Sequence, residues 1–451
     1  LMHPALGSAN IALLGDEDLT SMMSIQLQRQ GIDARVAESI PLDVEVNGVI
    51  DLRALDLDDP DGAMTWSQEC FETAKQLAIN HSVTPKVYIH VTQSGGDFGF
   101  QSVTNQKALI GGAAGVIRTA QQEWKDSHCK NIDVPTDVPF NQLTRLLVDE
   151  IVYGGLDLDV GLQISEDGSV CRTVLSMSEQ DPTGTPIEFF PDEVLVVSGG
   201  ARGVTADCIV RMVQRQSESS QIIPTIVLLG RTFLARDPFP ELTTERELVG
   251  ALIQQAKTEN KIIKPAGAKR SAKRILACRE IEETMRTLQH LGAKVHYHSV
   301  DVSDGDAIKE LFVQLNYGPI VGIVHGAGVL ADKRIQDKSS EDFAWVYDVK
   351  VQGMGSLLSN VDLNQLKVLV FFSSVAARTG NAGQSDYAAA NEVLNRIAHY
   401  VKQRHPEMCV RSIGWGPWQG GMVSPELQRH FESRGVGLIP IQAGADVFVE
   451  E

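Results

Sequence analysis

Four side chains in the last quarter of the chain have the types and spacing needed to protonate a carbonyl oxygen. In "SDYAAANEVLN" (385–395), Tyr387 and Asn391 stand four residues apart and share one face if the stretch is helical. Ser374 lies thirteen residues before Tyr387, at the end of the strand-like run "VLVFFSS". A phenol can give its proton to a developing alkoxide when a nearby cation makes it easier to ionise. A hydroxyl such as that of Ser374 can hold the same oxygen from a second side. One turn after the tyrosine, however, the chain offers an amide and no cation. The candidate cation is Lys350, in "WVYDVKVQGMGSLL", twenty-four residues before Ser374. Spacing alone leaves open whether Lys350 serves this site or is a solvated helix lysine.

A second group of residues has the pattern of a dinucleotide site. "VLVVSGGARGVT" (194–205) is a strand running into a glycine-rich turn, followed by the helical pattern "ADCIVRMVQRQ". Gly199, Gly200 and Gly203, with Arg202 and Val204 between and after them, let backbone N–H groups approach a pyrophosphate at a helix N-terminus. Thr205 stands where a third glycine is usual. The next strand, "TIVLLGR", ends at Arg231. A cation there suits the 2′-phosphate of NADPH, whereas an acid would bind the ribose hydroxyls of NAD; a surface arginine at a strand end is the alternative. "SVDVSD" offers Asp301 and Val302 to the adenine, and "VHGAGV" supplies Gly326, Ala327 and Gly328 where backbone must pass close to the cofactor.

These residues need a scaffold. Short apolar runs alternate with helical patterns throughout, which predicts an α/β fold of two Rossmann-like, doubly wound parallel-sheet subdomains. The first, 1–190, holds "NIALLGD", "GVIDL" and "KVYIHV"; the second, 191–451, holds "EVLVVSGG" through "CVRSIGWG". Turn formers at 178–193 mark the boundary. The first subdomain lacks a glycine cluster after "LLGDEDLT" and a tyrosine at catalytic spacing, so it reads as a degenerate, silent copy, or as an unrelated α/β domain giving support. Residues 233–275 form an insertion. From Lys257 to Arg279 it carries eight Lys or Arg and one acid, Glu259. That is either a solvated helix face or a patch for an anionic partner.

Composition narrows the function classes. A net charge of −18 argues against nucleic acid. Six dispersed cysteines without a C-x-x-C pair fit reduced thiols in the cytoplasm, and no histidine group suggests a metal. No apolar run is long enough to span a bilayer, and the start has no signal-peptide pattern. An end in mid-helix suggests a segment of a longer polypeptide.

The motifs "SGGARGVT", "LLGR", "DVSD", "HGAGVLADKRI", "VYDVKVQG", "FFSSVAARTGNAGQSDYAAANEVLN" and "GWGPWQGGMVSPEL" together resemble the ketoreductase domains of polyketide synthases and the related polyunsaturated-fatty-acid synthases. These belong to the short-chain dehydrogenase/reductase superfamily. Relative to that superfamily's usual order, Lys and Asn are exchanged here. The resemblance implies that Lys350, Ser374, Tyr387 and Asn391 are the catalytic four and that the N-terminal half is the silent structural subdomain. It also implies NADPH as cofactor, a β-ketoacyl substrate on the phosphopantetheine arm of an acyl carrier protein, and flanking domains of the same synthase. The carrier is typically acidic, which makes the basic insertion a docking candidate.

After "HGAGV" the family often carries Leu-Asp-Asp in domains giving the (3R) alcohol; this chain has Leu330-Ala331-Asp332. The loop before Tyr387 lacks the tryptophan associated with the opposite hand, so a (3R)-hydroxyacyl product is expected. Trp415, Trp418 and Met422, in "GWGPWQGGM", are candidate substrate contacts or packing residues, and "PELQRHFESRG" reads as a lid helix. Two alternatives compete: a free-standing reductase of small carbonyls, and a nucleotide-binding scaffold without activity.

Overall fold

The computed structural model describes residues 2–41, 45–79, 84–176, 186–420, 429 and 435–451. The chain forms two compact units that are not consecutive in sequence. One comprises residues 1–181, 328–351 and 373–415; the other comprises 182–327, 352–372 and 416–451. Part of the expected boundary, residues 178–185, lies outside the described residues.

The first unit contains a seven-stranded sheet. Its strands are β1 (Asn10–Leu14), β2 (Asp33–Val36), β3 (Gly48–Asp51), β4 (Val87–Thr92), β5 (His128–Asp133), β6 (Asp159–Ile164) and β7 (Val170–Val174). They lie in the order β2-β1-β3-β4-β5-β6-β7, parallel except for β7, which runs against β6. Every residue of β4 and β5 is buried. Strands covered on both faces explain why these runs do not alternate. The unit also includes most of the helix Ser340–Leu358, the whole helix Ser385–Arg404 and β13 (Cys409–Trp415).

The helices Ala114–Glu123 and Ser385–Arg404 approach closely. A Cβ on Gly115 would lie 2.4 Å from the Ala388 carbonyl carbon, so only glycine permits this spacing. Beside it, Glu392 is fully buried among Arg118, Arg378 and Arg396, with Arg118 also bonded to Asp159. Burial alone would raise the Glu392 carboxyl, but the three guanidinium groups hold it down to about 2. Removing one partner from such a buried cluster typically costs about 3–5 kcal/mol. The helix bearing Tyr387 is thereby fixed to the N-terminal part of the chain.

In the second unit, β8 (Val194–Ser198), β9 (Thr225–Gly230), β10 (Val295–Ser299), β11 (Ile320–His325) and the start of β12 (Val368–Ser374) pair in parallel in the order β10-β9-β8-β11-β12, while the last two residues of β12, Ser373 and Ser374, belong to the first unit. Strand order reverses between β8 and β11, which creates the crevice where doubly wound sheets bind dinucleotides. The insertion after β9 is built from the helices Glu245–Thr258, opened by a Thr244–Glu247 capping box, and Pro265–His290. The second helix runs well past residue 275, because the inserted turns continue without a break into the helix that precedes β10.

Candidate active site

In the first unit, three elements bring the predicted catalytic side chains together. The helix Ser385–Arg404 carries Tyr387 near its N-terminus and Asn391 one turn later. Asn391 is fully buried, and its Nδ2 donates to the Tyr387 carbonyl oxygen at 2.8 Å. Ser374, the last residue of β12, accepts a hydrogen bond at its Oγ from the Ala376 amide at 3.2 Å. The helix Ser340–Leu358 supplies Lys350, which is buried, with Nζ 5.5 Å from the centroid of the Tyr387 ring. The sequence left open whether Lys350 is a surface lysine; it is 3% exposed and beside the tyrosine.

Electrostatics follow from this burial. Desolvation lowers the Lys350 ammonium to about 7. Burial raises the Tyr387 phenol; the Asn391 and Ser374 side chains pull it down, and the Asp332 charge pushes it up. The site therefore holds a phenol that ionises reluctantly beside a lysine poised between its charged and neutral forms.

The loops leading into Tyr387 carry residues that the sequence reading did not single out. Asp386 forms a buried ion pair with Lys338 at 2.6 Å, and Lys338 Nζ also donates to the Ala331 carbonyl at 2.6 Å. Burial raises the Asp386 carboxyl to about 6 even though Lys338 opposes the shift. Exposed Asp332 accepts from Gln384 Nε2 at 3.0 Å. Glu123 receives the Gly383 and Ile335 amides at 2.8 and 2.9 Å. No local pattern announces these pairings, since their partners lie between 7 and 260 residues apart.

In the second unit, the glycine turn joins β8 to the helix Gly203–Glu218. Gly199 has φ +70°, and a Cβ there would lie 2.7 Å from the Ala327 amide nitrogen. Thr205 is buried and packs against Gly326, where a Cβ would meet its Oγ1 at 2.3 Å. With threonine at this position, only glycine fits at 326. Arg202 is exposed at the turn, Val204 is partly exposed, and Gly200 is buried. Arg231, at the end of β9, is exposed and lies 3.8 Å from Asp301. Val302 is buried, and Gly326 and Ala327 are partly exposed. Gly328 belongs to the first unit. His325 and Ser198, facing each other on β11 and β8, share a buried 2.6 Å hydrogen bond.

The turn already receives an anion: the Gly203 amide donates to the Glu280 carboxylate at 2.9 Å. A side-chain anion thus stands at the helix N-terminus where a phosphate is expected. The residues present fit a dinucleotide.

Trp418 is buried, and a Cβ on Gly444 would lie 2.3 Å from its ring, so it packs against the helix Ile441–Glu450. Trp415 closes β13, and its carbonyl accepts from the Val375 amide at 3.1 Å. Met422 and the expected lid helix, apart from Arg429 and Gly435, lie outside the described residues. Among the described residues no group of three or more His, Cys, Asp or Glu could hold a metal, and no helix is long and apolar enough to cross a membrane.

A parallel, doubly wound sheet with a glycine turn at its switch point defines a Rossmann-type protein. Residues 194–420 match the KR domain family, and the chain belongs to that family of ketoreductase domains. A polyunsaturated fatty acid synthase polypeptide of Thraustochytrium sp. is 34% identical over 80% of this chain, which covers 13% of that protein. Polyketide synthase PksL of Bacillus subtilis is 24% identical over 96% of this chain and 9% of its own length. This chain thus spans a small part of these relatives. Among solved structures, a ketoreductase domain from the bacillaene assembly line superposes with a TM-score of 0.66 at 22% identity, over 98% of this chain and 88% of that one. A-type ketoreductases from a modular polyketide synthase give 0.67 at 21% identity, over 100% and 88%. At these identities the likeness establishes the fold.

Proposed function

We propose that this chain is a domain of a cytoplasmic multidomain synthase. It uses NADPH to reduce β-ketoacyl groups, held on the phosphopantetheine arm of an acyl carrier protein, to (3R)-hydroxyacyl groups. The observation that carries the reading is Lys350, buried beside the Tyr387 ring on a helix other than the tyrosine's own. That is where a cation must be if Asn391 has taken the usual lysine position.

In this reading NADPH, when bound, supplies the hydride. The glycine turn at Gly199–Gly203 holds its pyrophosphate, Arg231 and Arg202 its 2′-phosphate, and Asp301 and Val302 its adenine. The Tyr387 hydroxyl donates its proton to the substrate oxygen, and Ser374 orients that oxygen. Lys350 in its ammonium form favours the phenolate left behind. Asn391 orders the first turn of the tyrosine helix through the Tyr387 carbonyl. Residues 1–190 act as the silent structural subdomain, and Asp332 sets the hand of the product.

The exposed cations Lys269, Arg270, Lys273 and Arg274 lie on the helix Pro265–His290 and suit docking of an acidic carrier. The test is NADPH oxidation with a β-ketoacyl group presented on carrier protein, on a short thioester mimic, and as a small ketone, with chiral analysis of the alcohol. Turnover of both thioesters to the (3R) product is expected, with charge reversal of the four cations raising KM for the carrier substrate alone. Activity confined to small ketones would instead mark a free-standing type of reductase; NADPH binding without any turnover would mark a scaffold.

A further inference from the structure

The polar contacts in front of Tyr387 converge on a side chain from the N-terminal part of the chain. Glu123 ends the helix Ala114–Glu123, and its two carboxylate oxygens go to two different loops. Oε1 accepts from the Gly383 amide at 2.8 Å, in the loop that leads into the tyrosine helix. Oε2 accepts from the Ile335 amide at 2.9 Å, three residues after Asp332. The same two loops are laced directly to each other. The Lys333 amide donates to the Gly383 carbonyl at 3.0 Å, and Gln384 Nε2 donates to Asp332 at 3.0 Å. Lys338 joins the Ala331 carbonyl to Asp386, whose other oxygen receives the Tyr387 amide at 2.8 Å.

We infer that Glu123 is a positioning residue for the reductase site: its carboxylate fixes the separation between the loop bearing Asp332 and the loop bearing Tyr387, and so governs the hand of the product as well as the rate. The inference rests on the proposed reductase reading and adds a role for a residue within the half assigned as silent. Each oxygen takes one amide, so a carboxylate suits the place and an amide side chain, with one oxygen, can serve only one loop. Burial pushes the Glu123 carboxyl up, while the two amides, followed by Arg334 and Lys338, pull it down. Charged amide acceptors of this kind are the stronger hydrogen bonds. Losing one loop's anchor lets Asp332 shift relative to the proton donor, and small misplacements of reacting groups carry large rate penalties.

The test compares wild type, Glu123→Gln and Glu123→Ala in the whole chain by two readouts. The first is the enantiomer ratio of the 3-hydroxyacyl product with kcat and KM; the second is deuterium uptake in peptides spanning 330–338 and 380–386. For Glu123→Ala we expect kcat/KM to fall about tenfold or more, the minor enantiomer to rise about fivefold or more, and both peptides to exchange faster together. Glu123→Gln should loosen one of the two and fall between. A fall in active fraction alone lowers kcat but leaves the enantiomer ratio and KM unchanged. That pattern, or unchanged uptake in either loop of Glu123→Ala, overturns the inference. Faster exchange in both loops of a chain that is inactive even as wild type would overturn the reductase reading and leave the clamp standing.

Discussion

The two parallel sheets begin with the same device, a strand followed by a glycine and a helix, and finish it in opposite ways. After β1, Gly15 adopts φ +141° and Asp16 caps the helix Glu17–Arg29, accepting the Leu19 amide at 3.0 Å. Glu17 and Asp18 fill the first turn. After β8, the helix Gly203–Glu218 has no side-chain cap of its own and no acid in its first turn. A helix N-terminus attracts anions. The first turn meets that demand with its own carboxylates, which also repel phosphate. The second leaves it to an outside anion, and Glu280 on a separate helix fills the place. Strand order differs as well: β2-β1-β3-β4 in one sheet against β10-β9-β8-β11 in the other. Both orders are doubly wound and have a switch point, so the proposed silence of the first sheet rests on its turn chemistry alone.

Adding a Cβ to each turn should separate the two most strongly. Gly199→Ala introduces a side chain 2.7 Å from the Ala327 nitrogen at positive φ, and should weaken NADPH binding by about a hundredfold or more. Gly15→Ala meets Leu52 Cβ at 2.8 Å and should lower thermal stability while leaving NADPH affinity unchanged. Fluorescence titration of NADPH and thermal unfolding read both; equal losses of affinity would erase the distinction between the turns. Next in size, Arg231→Ala should raise the Kd for NADPH by about ten- to a hundredfold, as expected for a charged hydrogen bond, and leave NADH binding nearly unchanged. If both nucleotides weaken alike, Arg231 does not read the 2′-phosphate. Smallest is Glu280→Gln: removing the competing carboxylate from the Gly203 amide should tighten NADPH by a few-fold, about 0.3–1 kcal/mol. Weaker binding would mean that Glu280 supports the turn instead of standing in for the ligand.

Much of this was legible in the sequence because it is local. The glycine turn, Arg231 at its strand end, and the Tyr387–Asn391 spacing are each read within one strand-to-helix step. Near-continuous apolar strands identified both parallel sheets. What stayed hidden depends on distant partners. Glu123 lies 260 residues from Gly383 and Lys338 lies 48 from Asp386, and neither has a pattern of its own. Trp418 read equally well as a substrate contact or a packing residue until Gly444 was found against its ring. Lys350 falls between: its type and spacing named it a candidate, and only burial beside Tyr387 distinguishes it from an ordinary helix lysine.

Lys350 is the proposed cation of the site, and a pH series on it tests that role directly. The burial that lowers its ammonium to about 7 means that the cation is present below that pH and is lost as pH rises through it. With a β-ketoacyl thioester and saturating NADPH, wild-type activity should fall about tenfold per pH unit above this point. Lys350→Arg should move the fall to higher pH, because a guanidinium does not titrate there. Lys350→Met should lose about a hundredfold or more at pH 6 while still binding NADPH. Normal turnover by Lys350→Met, with the wild-type pH profile intact, would contradict the claim that the displaced lysine is the cation of this site.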